Sequence, residues 1–311
     1  MRSESQLASA VLMVRPVRFE SNPQTAASNR FQVGTGRTAE EQQEAALAEF
    51  ERLREALVAA GVRVVVFDDT PEPHTPDAVF PNNWVSFHAD GTVVLYPMEA
   101  ENRRLERRAD IVEALASRYG FVVREVIDLS HHESDGHFLE GTGSMVLDRV
   151  NRIAYACLSS RTHLAPLGEF TQRMGYEALT FDAVDRNGAP IYHTNVLMNV
   201  GEALAVICAE SIRREDQRTA VLRRLEETGH EVMELSYDQL EAFAGNMLEL
   251  RSSSGGRVVA LSQQALDSLG KEQKDRLHAN GDVVAVPIDV IEASAGGSVR
   301  CMLAEIHLPT A

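Results

Sequence analysis

Apolar positions along the chain fall into short runs that come in pairs. Four such pairs, Trp84 to Pro97, Ser144 to Cys157, Val196 to Cys208 and Met247 to Ser262, place a polar turn between two apolar stretches. The turns carry residues suited to a reversal, Asp90-Gly91 in the first, Asn199-Val200-Gly201 in the third and Gly255-Gly256 in the fourth, so each pair predicts a β-hairpin. A stretch with helical character follows each hairpin: Ala100 to Tyr119, Thr162 to Gly175, Ser211 to Thr228 and Gln263 to Ala279. Behind each helix comes a further extended segment, in order Phe121 to Leu129, Tyr176 to Phe181, Glu231 to Leu235 and Asp282 to Val290.

The residues that open the hairpins, Asn83, Gly143, Asn195 and Asn246, are 60, 52 and 51 positions apart, and a further step of 54 reaches Arg300. Arg300 to Ile306 reads as the first strand of a fifth hairpin whose second strand is supplied from the other end of the chain, by Val11 to Pro16. That strand is followed by a helix over Thr38 to Ala60 and an extended Val62 to Phe67, which completes the unit. Five strand-strand-helix-strand units predict an α/β fold, a five-bladed α/β propeller with pseudo-fivefold repeat, closed by pairing of the two termini in one blade. On this reading residues 1–311 form a single catalytic domain. The rival is a doubly wound sheet, but the chain has neither a G-x-G-x-x-G turn nor a Walker lysine motif, and Gly34-Thr35-Gly36 follows no strand and reads as a loop.

Charge narrows the partners. Thirty basic against 46 acidic residues in 311 give a net charge of −16, a field that repels polyanions, so nucleic acid and anionic membrane surfaces are excluded in favour of a small molecule. The longest apolar run, Ala203 to Ala209, is seven residues, whereas a membrane-spanning helix needs roughly 20. Ala10 to Val14 is too short for a secretory signal core and Glu4 interrupts a basic leader, so a cytoplasmic location is expected. Cys157, Cys208 and Cys301 are an odd number in a large chain, which points to free thiols. The assembly state, monomer or homo-oligomer, stays open.

In a ring of such units the residues that begin each blade face a common channel. Those positions supply Asp77, Asn82 and Asn83, then Glu140, then His193 and Asn195, then Asn246, and finally Cys301. A thiol, an imidazole and two carboxylates on one pocket are what nucleophilic catalysis with acid-base help requires. Cys157 and Cys208 lie inside apolar strands and read as core residues, whereas Cys301 leaves a glycine-rich turn beside Arg300, a cation that can favour a thiolate. The cluster His131-His132-Glu133-Ser134-Asp135-Gly136-His137 has no familiar zinc spacing and reads as a polar loop leading to Glu140, so no metal is expected there.

Five stretches spread over nearly the whole chain resemble the guanidine-modifying, or pentein, superfamily of arginine deiminases, dimethylarginine dimethylaminohydrolases and amidinotransferases. They are Met13 to Pro16, Pro76 to Trp84, Phe138 to Ser144, Tyr192 to Val196 and Ser298 to Met302. With Ala244 to Leu248, they are most similar to the arginine-deiminase-related branch of citrulline-utilising hydrolases. The resemblance implies Cys301 as nucleophile, His193 as general acid and base, Glu140 and Asp77 as carboxylates holding the nitrogens of the head group, and Arg161 as a grip for a substrate α-carboxylate. Asn83 and Asn195 would line the substrate site, and no cofactor would be needed. Asn195 stands where deiminases tend to have a carboxylate, and Asn82 and Asn83 where dimethylargininases have acidic residues. Fewer fixed negative charges suit a neutral ureido group, as in citrulline, better than a guanidinium. Deimination, amidino transfer and non-catalytic binding of an amino acid remain the alternatives.

Overall fold

The computed structural model describes residues 4–26, 28–34 and 36–311, so Thr35, at the centre of the Gly34-Thr35-Gly36 segment, lies outside the described residues. The strands form five separate sheets of three strands each. In chain order they are β1 (Ala10–Arg15), β2 (Arg63–Asp68), β3 (Val85–Phe87), β4 (Thr92–Leu95), β5 (Glu125–Asp128), β6 (Val146–Asp148), β7 (Ile153–Cys157), β8 (Glu177–Phe181), β9 (Met198–Val200), β10 (Leu204–Ile207), β11 (Glu231–Glu234), β12 (Leu248–Arg251), β13 (Arg257–Ser262), β14 (Asp282–Val286) and β15 (Ala304–Ile306). Four sheets are a hairpin plus one parallel strand: β3-β4-β5, β6-β7-β8, β9-β10-β11 and β12-β13-β14.

The fifth sheet joins the two ends of the chain as the sequence pattern predicts. In it β1 lies antiparallel to β15, with Leu12 opposite Ala304, and parallel to β2, with Leu12 opposite Val65. The second apolar run of each hairpin is the middle strand of its sheet, and β7 and β10 are buried at every residue. The helix Ala39–Ala59 begins where Thr38 caps the Glu41 amide and Glu41 returns the bond to Thr38, a reciprocal capping box.

Four details differ from the sequence pattern. The stretch from Ala100 is two helices, Glu101–Arg104 and Ala109–Ser117, because the chain turns between them to bury Arg103 and Glu106. The stretch from Gln263 breaks into Gln263–Ser268 and Lys271–Asn280, with Gly270 as the cap of the second helix. The extended segment from Asp282 ends at Val286, and Asp289–Ala295 is helical. Val299–Met302 is a 3-10 turn, so the last strand starts four residues beyond Arg300.

Neighbouring sheets share their cores. One apolar cluster joins elements of β6 to β14, a second joins β12 to β14 with β1, β2 and the turn Val299–Met302, a third links β1 and β15 with β3 and β4, and a fourth links β4 and β5 with β6 and β7. The 3-10 turn Pro81–Asn83 packs on the helical turn Gly141–Ser144 and on Val299–Met302, and Gly141–Ser144 packs on Thr194–Leu197. Gly245 completes the contacts, since a Cβ there would lie 2.5 Å from the Val196 carbonyl oxygen. Among the described residues no helix is long and apolar enough to cross a membrane.

A buried ionic network ties the first and last residues to the middle of the chain. Arg149 is 2.9 Å from Glu4 and 3.7 Å from Glu305, and Glu305 also meets Arg300 at 2.8 Å and His307 at 3.3 Å. His88 sits against Ser86 Oγ at 2.8 Å, and burial, aided by Arg149, pushes its pKa from 6.5 down to about 3. The folded protein therefore binds a proton at His88 less readily than the unfolded chain, and the contribution of the neutral ring is complete above pH 6.5 and lost as pH falls toward 3. Wild type should lose about 1.4 kcal/mol per pH unit relative to His88→Asn within that window. Urea midpoints of the two proteins in neutral and mildly acidic buffer check this, and a difference that does not change with pH would contradict it.

Candidate active site

The turns that begin the sheets carry polar side chains into the space between them. Cys301 lies in the turn Val299–Met302 and is 3% exposed. Its Sγ accepts hydrogen bonds from Asn195 Nδ2 and Asn246 Nδ2, both at 3.4 Å, and Asn246 Nδ2 also donates to the Asn195 carbonyl at 2.9 Å. His193 precedes the turn Thr194–Leu197, and its Nε2 donates to Glu140 Oε2 at 2.9 Å. That bond fixes the tautomer and leaves Nδ1 as the basic nitrogen. Gly143 makes the room: a Cβ there would lie 2.8 Å from His193 Nδ1 and 2.4 Å from Asn83 Nδ2.

Asp77 and Asn83 stand on the same cavity with one polar atom each left over. Asp77 Oδ2 accepts from Asn22 Nδ2 at 2.7 Å, while its buried Oδ1 has no partner. Asn83 Oδ1 accepts from Arg103 Nη1 at 3.0 Å, which settles the orientation of the amide, and its buried Nδ2 has no partner. Asp77, Asn83, Arg103, Arg161, Tyr192, His193 and Cys301 all line this cavity. Glu140 and Asn195 stand just behind it, one holding the imidazole and the other the sulfur. Asn82 turns away toward Thr142.

Burial pushes the pKa of His193 from 6.5 down to about 4; the Glu140 carboxylate resists this and Arg161 and Arg103 add to it, so the ring is neutral near pH 7. Burial alone would raise the pKa of Glu140, but Arg161, the His193 hydrogen bond and Arg103 outweigh it and hold the carboxyl well below the usual range. A neutral imidazole oriented by an ionised carboxylate, beside a sulfur and unpartnered hydrogen-bonding atoms, can move protons at a carbon attacked by that sulfur. Burial lifts the Cys157 and Cys208 thiols to about 12, in keeping with core residues.

The Arg300 guanidinium is engaged by Glu305 at 2.8 Å and by the Leu303 carbonyl at 3.0 Å, and it also interacts electrostatically with Cys301. Glu140 holds His193, and Asp77 is a carboxylate on the cavity whose Oδ1 has no protein partner. Sequence reasoning missed Arg103 and Glu106, which are joined by two hydrogen bonds of 2.9 Å, and it missed Asn22 and Thr25 from the amino-terminal loop. Arg103 stands in the run Arg103-Arg104-Leu105-Glu106-Arg107-Arg108, where nothing in the sequence separates a buried arginine from its solvated neighbours.

Fold and cavity together define an α/β protein of five small sheets with a cysteine, a histidine and carboxylates gathered where the sheets meet. The chain belongs to the family described as N,N dimethylarginine dimethylhydrolase, eukaryotic, whose profile matches residues 15–308. No curated protein sequence matches the chain. Among solved structures it is similar to ArgZ, an arginine dihydrolase from the ornithine-ammonia cycle in cyanobacteria, with a TM-score of 0.73 and 17% identity over 97% of this chain and 41% of ArgZ. The amino-terminal domain of ArgZ bound to substrate gives 0.70 and 18%, over 94% of this chain and 96% of that one. A dimethylarginine dimethylaminohydrolase adduct with S-methyl-L-thiocitrulline gives 0.65 and 14%, over 96% and 99%. These neighbours are pentein-superfamily enzymes that modify guanidino groups, and at such identities the likeness is one of fold. The chain spans less than half of full-length ArgZ.

Removing Arg103 leaves Glu106 buried without its partner and Asn83 without its anchor. Arg103→Met should cost about 3–5 kcal/mol of stability, the usual penalty for breaking a buried ion pair from one side. Denaturant unfolding measures it, and a loss below about 1 kcal/mol, typical of exposed pairs, would show that the pair is not a desolvated one.

Proposed function

We propose that this protein is a cysteine-dependent hydrolase of a ureido amino acid, with citrulline as the substrate of choice, converted to ornithine, ammonia and carbon dioxide. The observation that carries the reading is the pair of unsatisfied atoms on the cavity wall, the acceptor Asp77 Oδ1 and the donor Asn83 Nδ2. A ureido group offers both an N–H and a carbonyl oxygen and satisfies both atoms; a guanidinium offers donors alone and leaves Asn83 Nδ2 without a partner. The net loss of fixed negative charge at Asn83 and Asn195 supports a neutral head group as well.

In this proposal His193 Nδ1 takes the proton of the Cys301 thiol, and the resulting thiolate attacks the ureido carbon while Asp77 and Asn83 hold the nitrogen and oxygen. His193 delivers a proton to the departing nitrogen and ammonia leaves, so that sulfur carries a carbamoyl adduct. Water then attacks, His193 Nδ1 takes its proton, the carbon–sulfur bond breaks, and the released carbamate loses carbon dioxide to give ornithine. Arg161, paired with Glu99 at 3.2 Å and stacked over the Tyr192 ring at 4.9 Å, is the proposed seat of the substrate α-carboxylate, which would take the place of Glu99. The five sheets are proposed as blades of one closed propeller comprising a single unit; the shared apolar clusters and the contacts of the starting turns support that arrangement.

A second reading is hydrolysis of a guanidino substrate, arginine or a methylated arginine. It is favoured by the family description and by the free Asp77 oxygen, which suits a cationic N–H. Amidino transfer to an amine differs only in the acceptor that the cavity admits.

Incubation of the purified protein with citrulline, arginine, methylated arginines and agmatine, with products identified by mass, tests the proposal. Ornithine and ammonia from citrulline are expected, Cys301→Ser should abolish turnover, and His193→Ala should lower it about 10²–10⁴-fold. Asn83→Asp should shift preference from citrulline toward arginine. Turnover of arginine with none of citrulline would overturn the ureido assignment, and no turnover of any compound with an unreactive Cys301 would leave a binding protein.

A further inference from the structure

Four of the ten histidines, His131, His132, His137 and His163, gather in one patch outside the buried cavity. His131 and His132 lie in the 3-10 turn Ser130–Asp135, and Glu169 faces them from the helix Leu164–Met174. Both imidazoles direct Nε2 at the same carboxylate oxygen, Glu169 Oε2, at 3.2 Å from His131 and 2.9 Å from His132, with ring centroids 4.3 Å apart. We propose that His131, His132 and Glu169 form a binding site for a divalent transition-metal ion of the zinc class.

The geometry and chemistry of the donors carry this. Zinc holds imidazole nitrogen and carboxylate oxygen at about 2.0–2.2 Å, which places tetrahedral donors about 3.3–3.5 Å apart. Both nitrogen–oxygen separations need to open by only a few tenths of an ångström, and the three donor atoms lie within 4.8 Å of one another. The ring proton resides on Nδ1 when Nε2 takes up the metal, and a water fills the fourth position. Two imidazoles and one carboxylate select zinc, nickel or copper over magnesium and calcium, which prefer all-oxygen shells. The surrounding net charge of −16 favours a dication.

His132 also belongs to a second group, with Asp135 and His137, whose donor atoms lie within 4.8 Å of one another. The site is assigned to Glu169 because His131 and His132 already converge on its oxygen, whereas the His137 ring is stacked on His163 at 3.8 Å and 5°. The spacing of the histidines in the chain did not reveal this, since the third donor comes from a helix more than 30 residues away. The site borders the segments that lead to Glu140 and Arg161, where the His163 amide donates to the Phe138 carbonyl at 2.7 Å.

Calorimetric titration with zinc sulfate tests the assignment on untagged, chelator-treated protein carrying Cys301→Ser, which removes the cavity thiol as a competing ligand. One equivalent should bind. His132→Ala and Glu169→Gln should each weaken binding by at least about tenfold, as should His131→Ala, whose exposed side chain makes misfolding no explanation; Asp135→Asn should change it less than about twofold. Absence of binding in the Cys301→Ser protein, or binding indifferent to His131→Ala and Glu169→Gln, overturns the proposal. Loss on Asp135→Asn with retention in Glu169→Gln overturns it in favour of the second group.

Discussion

Arg103, 2% exposed, holds Glu106 through two hydrogen bonds of 2.9 Å while standing 3.7 Å from Asp77, 3.6 Å from Glu140 and 3.0 Å from the Asn83 oxygen. Burial, with Asp77 and Glu140 near by, pushes the pKa of Glu106 up to about 8 against the pull of Arg103. At Glu140 the same burial is outweighed by Arg161, the His193 hydrogen bond and Arg103, which keep it ionised. Everything beyond depends on that state. An ionised Glu140 orients His193 with Nε2–H toward it, and only then is Nδ1 a base; a protonated Glu140 would lose that control of the tautomer.

Apolar clusters shared between sheets lie beside this centre, and the polar starting turns pack on one another next to them. A low-dielectric surrounding strengthens each remaining hydrogen bond and raises the penalty for each unmade one. On the proposed reading, a head group that pairs with both Asp77 Oδ1 and Asn83 Nδ2 forms two hydrogen bonds where an unmade one is penalised. Affinity and selectivity then have a common origin.

What the sequence made legible was whatever local pattern determines. The paired apolar runs predict β3 with β4, β6 with β7, β9 with β10 and β12 with β13, and the incomplete fifth unit predicts that β1 meets β15. The positions that open these units also pick out Cys301, His193 and Asp77, which line one cavity. Relations between side chains were not legible. Arg300 adjoins Cys301 in the chain, but nothing local shows that its guanidinium is also held by Glu305, five residues on. Nor does the sequence show that Glu140 pairs with His193. Arg103 could not be told from Arg104, since burial depends on a break in the helix that comes from the tertiary contact itself.

The cavity is smaller than the reading of its function demands, and this bears on how a substrate enters. It has room for about one water and not for an amino acid. Arg161 is held by Glu99 at 3.2 Å and by Ser28 Oγ at 2.7 Å, and Thr25 and Asn29 line the same wall, so the amino-terminal loop and Glu99 occupy the space beside the cation. On the proposed reading, an incoming α-carboxylate exchanges with Glu99 at Arg161 before the head group reaches Cys301. The exchange replaces one carboxylate by another and preserves the charge balance that keeps Glu140 ionised, whereas a substrate lacking that carboxylate would have to leave Arg161 paired with Glu99 and reach the sulfur past it. The same electrostatic constraint that builds the centre thus favours an amino acid over its decarboxylated amine.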